Sequence, residues 1–149
     1  MGFGHGLSLT PLQLAQAYVA LASDGLFKPA SLLPGAHRDQ SLQRVMSAAH
    51  AQQIIGMMSL VTEQGGTATR AHLGAYSVAG KTGTAHKVGG RGYADDKYVA
   101  LFAGIVPVEN PELVVAVVIN EPPTQRYFGG EAAAPVSYTH LTLPTIYSV

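Results

Sequence analysis

The chain has 149 residues, 47% of them hydrophobic and 12% charged, which is the composition of a globular domain with a core of its own. Nine Lys and Arg balance nine Asp and Glu, and a formal net charge of zero argues against nucleic acid as the main partner. With no Cys there is neither a disulfide framework nor a thiolate metal site, and the most apolar run, Leu113 to Ile119, has the length of a strand rather than of a membrane span.

Gly2 to Leu9 is a glycine-rich lead-in without a signal-peptide pattern, and the chain is expected to begin inside a longer gene. Thr10-Pro11 reads as a helix start, Thr at the N-cap and Pro at the first helical position. Leu12, Ala15, Val19 and Ala22 follow at helical spacing, and Asp24-Gly25 suits a left-handed stop. Phe27 to Pro34 reads as extended chain and His37 to Arg44 as a polar loop. A second helix is expected from the N-cap Ser47 through Ile54, Met57, Met58 and Val61, ending before Gly65-Gly66, with Met57-Met58 in the core. A strand then carries Ala79-Gly80-Lys81-Thr82-Gly83-Thr84, Lys87 to Asp96 forms a flexible hairpin connection, and Tyr98–Val106 and Leu113–Ile119 are further strands around a turn at Glu109-Asn110-Pro111. Three strands in series with short links predict an α+β fold, an antiparallel sheet with the helices packed on one face.

Lys81-Thr82-Gly83-Thr84 is the strongest chemical signal. A lysine ammonium beside two hydroxyls suits a carboxylate, and Thr82 and Thr84 can each donate to it. Gly83 lacks a Cβ, so an extended peptide could pair closely with the strand edge. A backbone N–H from this strand could also stabilise a developing oxyanion. A bare Lys-Thr-Gly also occurs by chance at strand ends, so the surrounding residues have to decide. None of the His residues shows metal-ligand spacing, and no metal or cofactor is expected.

Those surroundings resemble the penicillin-binding proteins, class B transpeptidases in particular. Lys-Thr-Gly is one of three motifs shared by penicillin-binding proteins and serine β-lactamases. Gly4-His5-Gly6-Leu7-Ser8-Leu9-Thr10-Pro11-Leu12-Gln13-Leu14-Ala15 is similar to the helix-opening segment that follows the second motif. Glu63-Gln64-Gly65-Gly66-Thr67-Ala68 is similar to the loop before the Lys-Thr-Gly strand, and Tyr127-Phe128-Gly129-Gly130 with Ala132-Ala133-Ala134-Pro135 to the segment before the last helix. The resemblance runs over residues 2–135 and points to the septal or elongation transpeptidases of Gram-negative bacteria.

The resemblance implies a partial transpeptidase fold and a peptidoglycan D,D-transpeptidase that cross-links D-Ala-D-Ala stem peptides through an acyl-enzyme. It places Lys81 in the cleft for proton relay and electrostatics, Thr82 and Thr84 on the carboxylate of a donor peptide or β-lactam, and the Thr84 backbone N–H in the oxyanion hole. Tyr127 and Phe128 form an aromatic wall in this reading, or else simply pack. His86 either reaches the ligand carboxylate or is an exposed strand residue, the latter being favoured. The implied partners are the stem peptide or its lipid-linked precursor, β-lactams, and division or elongation proteins; the implied location is the periplasmic side of the inner membrane, reached through an N-terminal anchor outside this chain.

Two motifs of the family are missing from these residues. No Ser is followed three positions later by Lys or two positions later by Asn, so the nucleophile and its proton network are expected upstream and the chain alone is expected to be inactive. A D,D-carboxypeptidase or serine β-lactamase relative, or a non-catalytic peptide-binding remnant, remain the alternatives. Residues 1–136 are read as the C-terminal part of the transpeptidase domain. Residues 137–149, rich in Ser, Thr and β-branched residues, are read as a non-native tail replacing the last helix, because Val136 to Thr145 resembles translated transposon-end and sequencing-adaptor DNA.

Overall fold

The computed structural model describes residues 7–33, 42–89 and 92–142. Gly2 to Gly6, His37 and residues 143–149, on which parts of the sequence reading fall, lie outside them. Helix α1 is Pro11–Ala22. Its start is a reciprocal cap: the Gln13 N–H donates to Thr10 Oγ1 at 3.2 Å and the Thr10 N–H donates to Gln13 Oε1 at 2.9 Å. It ends as the sequence predicts, with Asp24 and Gly25 at φ 53° and 80°.

The next segment is extended at Phe27 as expected, forms a strand at Gln43–Arg44 within the expected loop, and lies outside the described residues at 34–41. β1 (Leu26–Phe27) pairs antiparallel with β2 (Gln43–Arg44). Helix α2 is Ala48–Ser59, capped by Ser47 as expected, but it stops before Val61. Val61 leaves the helix because its carbonyl accepts from the Ala68 N–H at 2.8 Å, while the buried Thr62 hydroxyl donates to Val78 O at 2.9 Å. Met58 packs on the core, whereas Met57, expected there too, is exposed. A short 3-10 helix follows at Thr69–Ala71.

The main sheet is an antiparallel meander of β3 (Ala79–Gly89), β4 (Gly92–Val106) and β5 (Leu113–Asn120), in the order β3-β4-β5. Within the expected hairpin connection the strands continue through Lys87 to Gly89 and Gly92 to Asp96, with Val88 opposite Tyr93 and Gly89 opposite Gly92. Helix α3, Gly129–Thr142, follows. The last helix is thus present, and it runs through residues 137–142, which the sequence reading assigned to a tail that replaces it. Its hydroxyls explain the misreading: Thr139 Oγ1 donates to Pro135 O at 3.0 Å and Thr142 Oγ1 to Tyr138 O at 2.8 Å. Residues that disfavour a helix interior are accommodated by bonding back to its carbonyls.

The helices lie on both faces of the sheet, not on one. Phe102 and Val106 of β4 pack with Ala133 and Ala134 of α3, joined by Val115 and Val117 of β5. Ile105 and Ala79 face the other way, onto Ile55 of α2, Tyr18 and Leu21 of α1, and Val114. The reason is in the strands themselves: Tyr98 to Val106 of β4 and Leu113 to Ile119 of β5 are nearly continuous apolar runs, so both of their faces need cover. Leu7, Leu9 and Leu12, before and at the start of α1, remain exposed.

Candidate active site

β3 is an edge strand, so one side of its backbone is open to an added strand. Its register sets what each side chain faces. Thr82 is opposite Phe102, Thr84 opposite Ala100 and His86 opposite Tyr98, which places these three on the α3 side of the sheet. Lys81 and Gly83, opposite Ala103 and Leu101, take the other side.

On the α3 side Thr82 and Thr84 line an open cleft of about 310 Å³, together with Thr67, Phe128, Gly129, Gly130 and Glu131. Thr67 Oγ1 lies 3.2 Å from Thr82 Oγ1, so one hydroxyl donates to the other. Thr84 Oγ1 accepts from the Gly129 N–H at 3.0 Å, which leaves the Thr84 proton available to the cleft. The first turn of α3 adds its partial positive charge at the same place. The hydroxyls and the helix start are a set of neutral donors suited to an anion, with the Glu131 carboxyl group on the same rim.

The start of α3 reaches this position because residues 129 and 130 have no side chain. A Cβ on Gly129 would run into the Leu101 and Gly83 carbonyl oxygens, and one on Gly130 into the Thr67 carbonyl oxygen. Gly83 has a packing reason of its own, since a Cβ there would fall 2.7 Å from Leu101 Cδ1.

Lys81 does not line the cleft. It is exposed, and its Nζ donates to Thr82 O at 2.9 Å. The aromatic residues form a row. His86 and Tyr98 have ring centroids 4.4 Å apart, Tyr98 and Tyr127 stack at 4.0 Å with 16° between planes, and Tyr127 and Phe128 are 4.3 Å apart. Tyr127 is half-buried in this stack, while Phe128, 53% exposed, forms a wall of the cleft. Tyr98 was missed in the sequence; its signal is the pairing of a strand with the one carrying His86. Thr67 and the two glycines lay within stretches already singled out, without a role assigned to them.

Glu121 ties the far end of the hairpin to the sheet. Its N–H donates to Tyr98 O at 2.9 Å, and its carboxylate lies 2.6 Å from Lys87 Nζ and 3.6 Å from Lys97 Nζ. The Lys87 hydrogen bond, and then the charges of Lys87 and Lys97, hold its pKa below the usual carboxylate value. A depressed folded pKa gives stability that is present above the unfolded pKa and lost as pH falls through the folded one. Glu121→Gln is therefore expected to lower the melting temperature slightly at neutral pH and not at all at strongly acidic pH, since the pair is exposed. Thermal melts of both proteins across that range test it; an equal difference at every pH would refute the assignment.

The family described as penicillin binding protein transpeptidase domain matches residues 1–142. The chain is similar to the probable peptidoglycan D,D-transpeptidase PenA of Neisseria gonorrhoeae, 46% identical over 136 residues that cover 91% of this chain and 23% of that protein. It is also similar to the peptidoglycan D,D-transpeptidase FtsI of Escherichia coli (strain K12), 39% identical over 140 residues, 90% of this chain and 23% of that protein. Among solved structures, the TP domain of Burkholderia pseudomallei penicillin-binding protein 3 superposes with a TM-score of 0.81 at 38% identity, over 97% of this chain and 46% of that one. Penicillin-binding protein 3 of Mycobacterium tuberculosis, complexed with ampicillin, gives a TM-score of 0.74 at 33% identity, over 91% of this chain and 34% of that one. The chain belongs to the penicillin-binding protein transpeptidase domain family. It spans 23% of the length of each of the two curated relatives above.

Proposed function

We propose that this chain forms the β3 side of the acyl-transfer cleft of a peptidoglycan D,D-transpeptidase. The observation that carries the reading is the Gly129 N–H to Thr84 Oγ1 bond, which leaves the Thr84 hydroxyl proton for a ligand on the open side of an edge strand. In this reading Thr82 and Thr84 hold the terminal carboxylate of a D-Ala-D-Ala stem peptide or of a β-lactam. The peptide adds to β3 as an extra strand beside Gly83. The Thr84 backbone N–H is one of two oxyanion donors, and such a donor contributes roughly 2.7–4 kcal/mol to the acylation barrier. Phe128 walls the ligand, with Tyr127 supporting it through their ring contact, and His86 stands at the end of the same row.

Lys81 swings from Thr82 O toward the reacting groups to relay protons. The serine nucleophile and its lysine belong to a part of the enzyme outside these residues, as does the membrane anchor that would hold it on the periplasmic side of the inner membrane, among division or elongation proteins. No helix among the described residues is long and apolar enough to cross a membrane.

Labelling with a fluorescent penicillin tests the reading. The isolated chain should give no covalent adduct, and the full-length enzyme should give one. Thr84→Val in the full-length enzyme should slow acylation about ten-fold, the effect of losing a hydrogen bond to a charged group. A covalent adduct on the isolated chain, or undiminished labelling of the Thr84→Val enzyme, would overturn it.

A further inference from the structure

We propose that Glu131 makes the cleft selective for zwitterionic ligands, accepting a ligand cation beside the carboxylate that the threonines hold. The inference rests on the anion-binding role of Thr82 and Thr84 proposed above and goes beyond it. Among the described residues Glu131 is the one ionisable side chain lining the cleft; the other walls are the hydroxyls of Thr67, Thr82 and Thr84, the Phe128 ring and two glycines. Glu131 is exposed, and the ion pairs among the described residues both belong to Glu121, so no cation among those residues pairs with it. Lys81, the cation nearest in sequence to the two threonines, donates to Thr82 O and does not line the cleft.

An acidic residue in the first turn of a helix has an ordinary explanation, since it complements the helix dipole. Here, however, that turn faces a ligand cleft. Without Glu131 the cleft would offer an anion only donors and a partial positive charge. With it, a full negative charge sits on the same rim. A ligand carrying a lone carboxylate meets donors and repulsion together. A ligand carrying both a carboxylate and an ammonium group that reaches Glu131 satisfies both, the carboxylate on the hydroxyls and the ammonium on Glu131. A second carboxylate on the ligand is penalised. Peptides with a free side-chain or terminal amine, and amino-substituted β-lactams, have the favoured charge pattern.

The experiment compares acylation of the full-length enzyme by three penicillins that share the ring carboxylate: one with a neutral side chain, one with a side-chain ammonium (ampicillin) and one with a side-chain carboxylate. The readout is the second-order acylation rate, and in particular the ratio of the ammonium to the carboxylate ligand. Glu131→Gln is expected to lower this ratio about five-fold, and Glu131→Lys to lower it further, with the effect fading as salt is raised. A role in helix stability alone would move all three rates together and leave the ratio unchanged. An unchanged ratio in both variants, with the wild-type enzyme acylated normally, would overturn the inference while sparing the functional reading. Failure of all three penicillins to acylate the wild-type enzyme would remove both.

Discussion

Replacing Gly129 by alanine is expected to cost about 3 kcal/mol of stability, because the new methyl must displace backbone rather than a flexible side chain. The obstructing atoms are the Leu101 and Gly83 carbonyl oxygens, which belong to the paired strands β4 and β3 and cannot yield separately. The start of α3 must therefore lift away. Lifting also breaks the Gly129 N–H to Thr84 bond, so the damage reaches the cleft. The variant should melt several degrees lower in the full-length protein, and its remaining folded fraction should acylate more slowly. Gly130→Ala, blocked by the Thr67 carbonyl, should behave alike. A Gly129→Ala protein with wild-type melting and acylation would show that α3 does not rest on the sheet as described.

Phe102→Ala should cost about 4 kcal/mol, the usual range for a large side chain removed from a packed core. Phe102 is fully buried in β4 and packs with Ala133 and Ala134 of α3. Its ring also fills the space beside Gly80 of β3 and Gly104 of β4, where a Cβ would come within 2.6 Å and 3.0 Å of it. Its cross-strand partner is Thr82, so the hole would open directly under the cleft. Phe102→Leu should recover part of the loss. Denaturant titration of the three proteins measures both differences. A loss below about 1 kcal/mol for the alanine variant would mean that the core collapses around the gap more completely than its neighbours suggest.

Much of this architecture was legible from local chemistry. Thr10-Pro11 and Ser47 announced two helix starts, and Asp24-Gly25 announced a stop, because caps depend on a few adjacent residues. The three strands and their order followed from apolar runs separated by short turns. What escaped was set by partners distant in the chain. Val61 leaves its helix because of Ala68, and Thr62 because of Val78. The helices divide between two faces because β4 is apolar on both, which a count of strands does not convey. The carboxy-terminal helix was concealed by its Ser and Thr content, although those hydroxyls bond within it. At the candidate site, the Lys81-to-Thr84 run was visible, but its division between two sides of an edge strand was not. Periodicity of two sends the side chains of Lys81 and Thr82 to opposite faces of the sheet. The place of Thr67 beside Thr82 required a contact across 15 residues.

The donor that orients Thr84 is a main-chain N–H. Every amino acid other than proline supplies the same group, so no ordinary substitution at position 129 changes its chemistry without also moving the helix. The polarity of this part of the cleft is in that sense insulated from mutation. In the reading proposed above, ligand preference is tuned through Phe128 and Glu131, whose side chains lie outside the Gly129–Thr84 and Thr67–Thr82 hydrogen bonds.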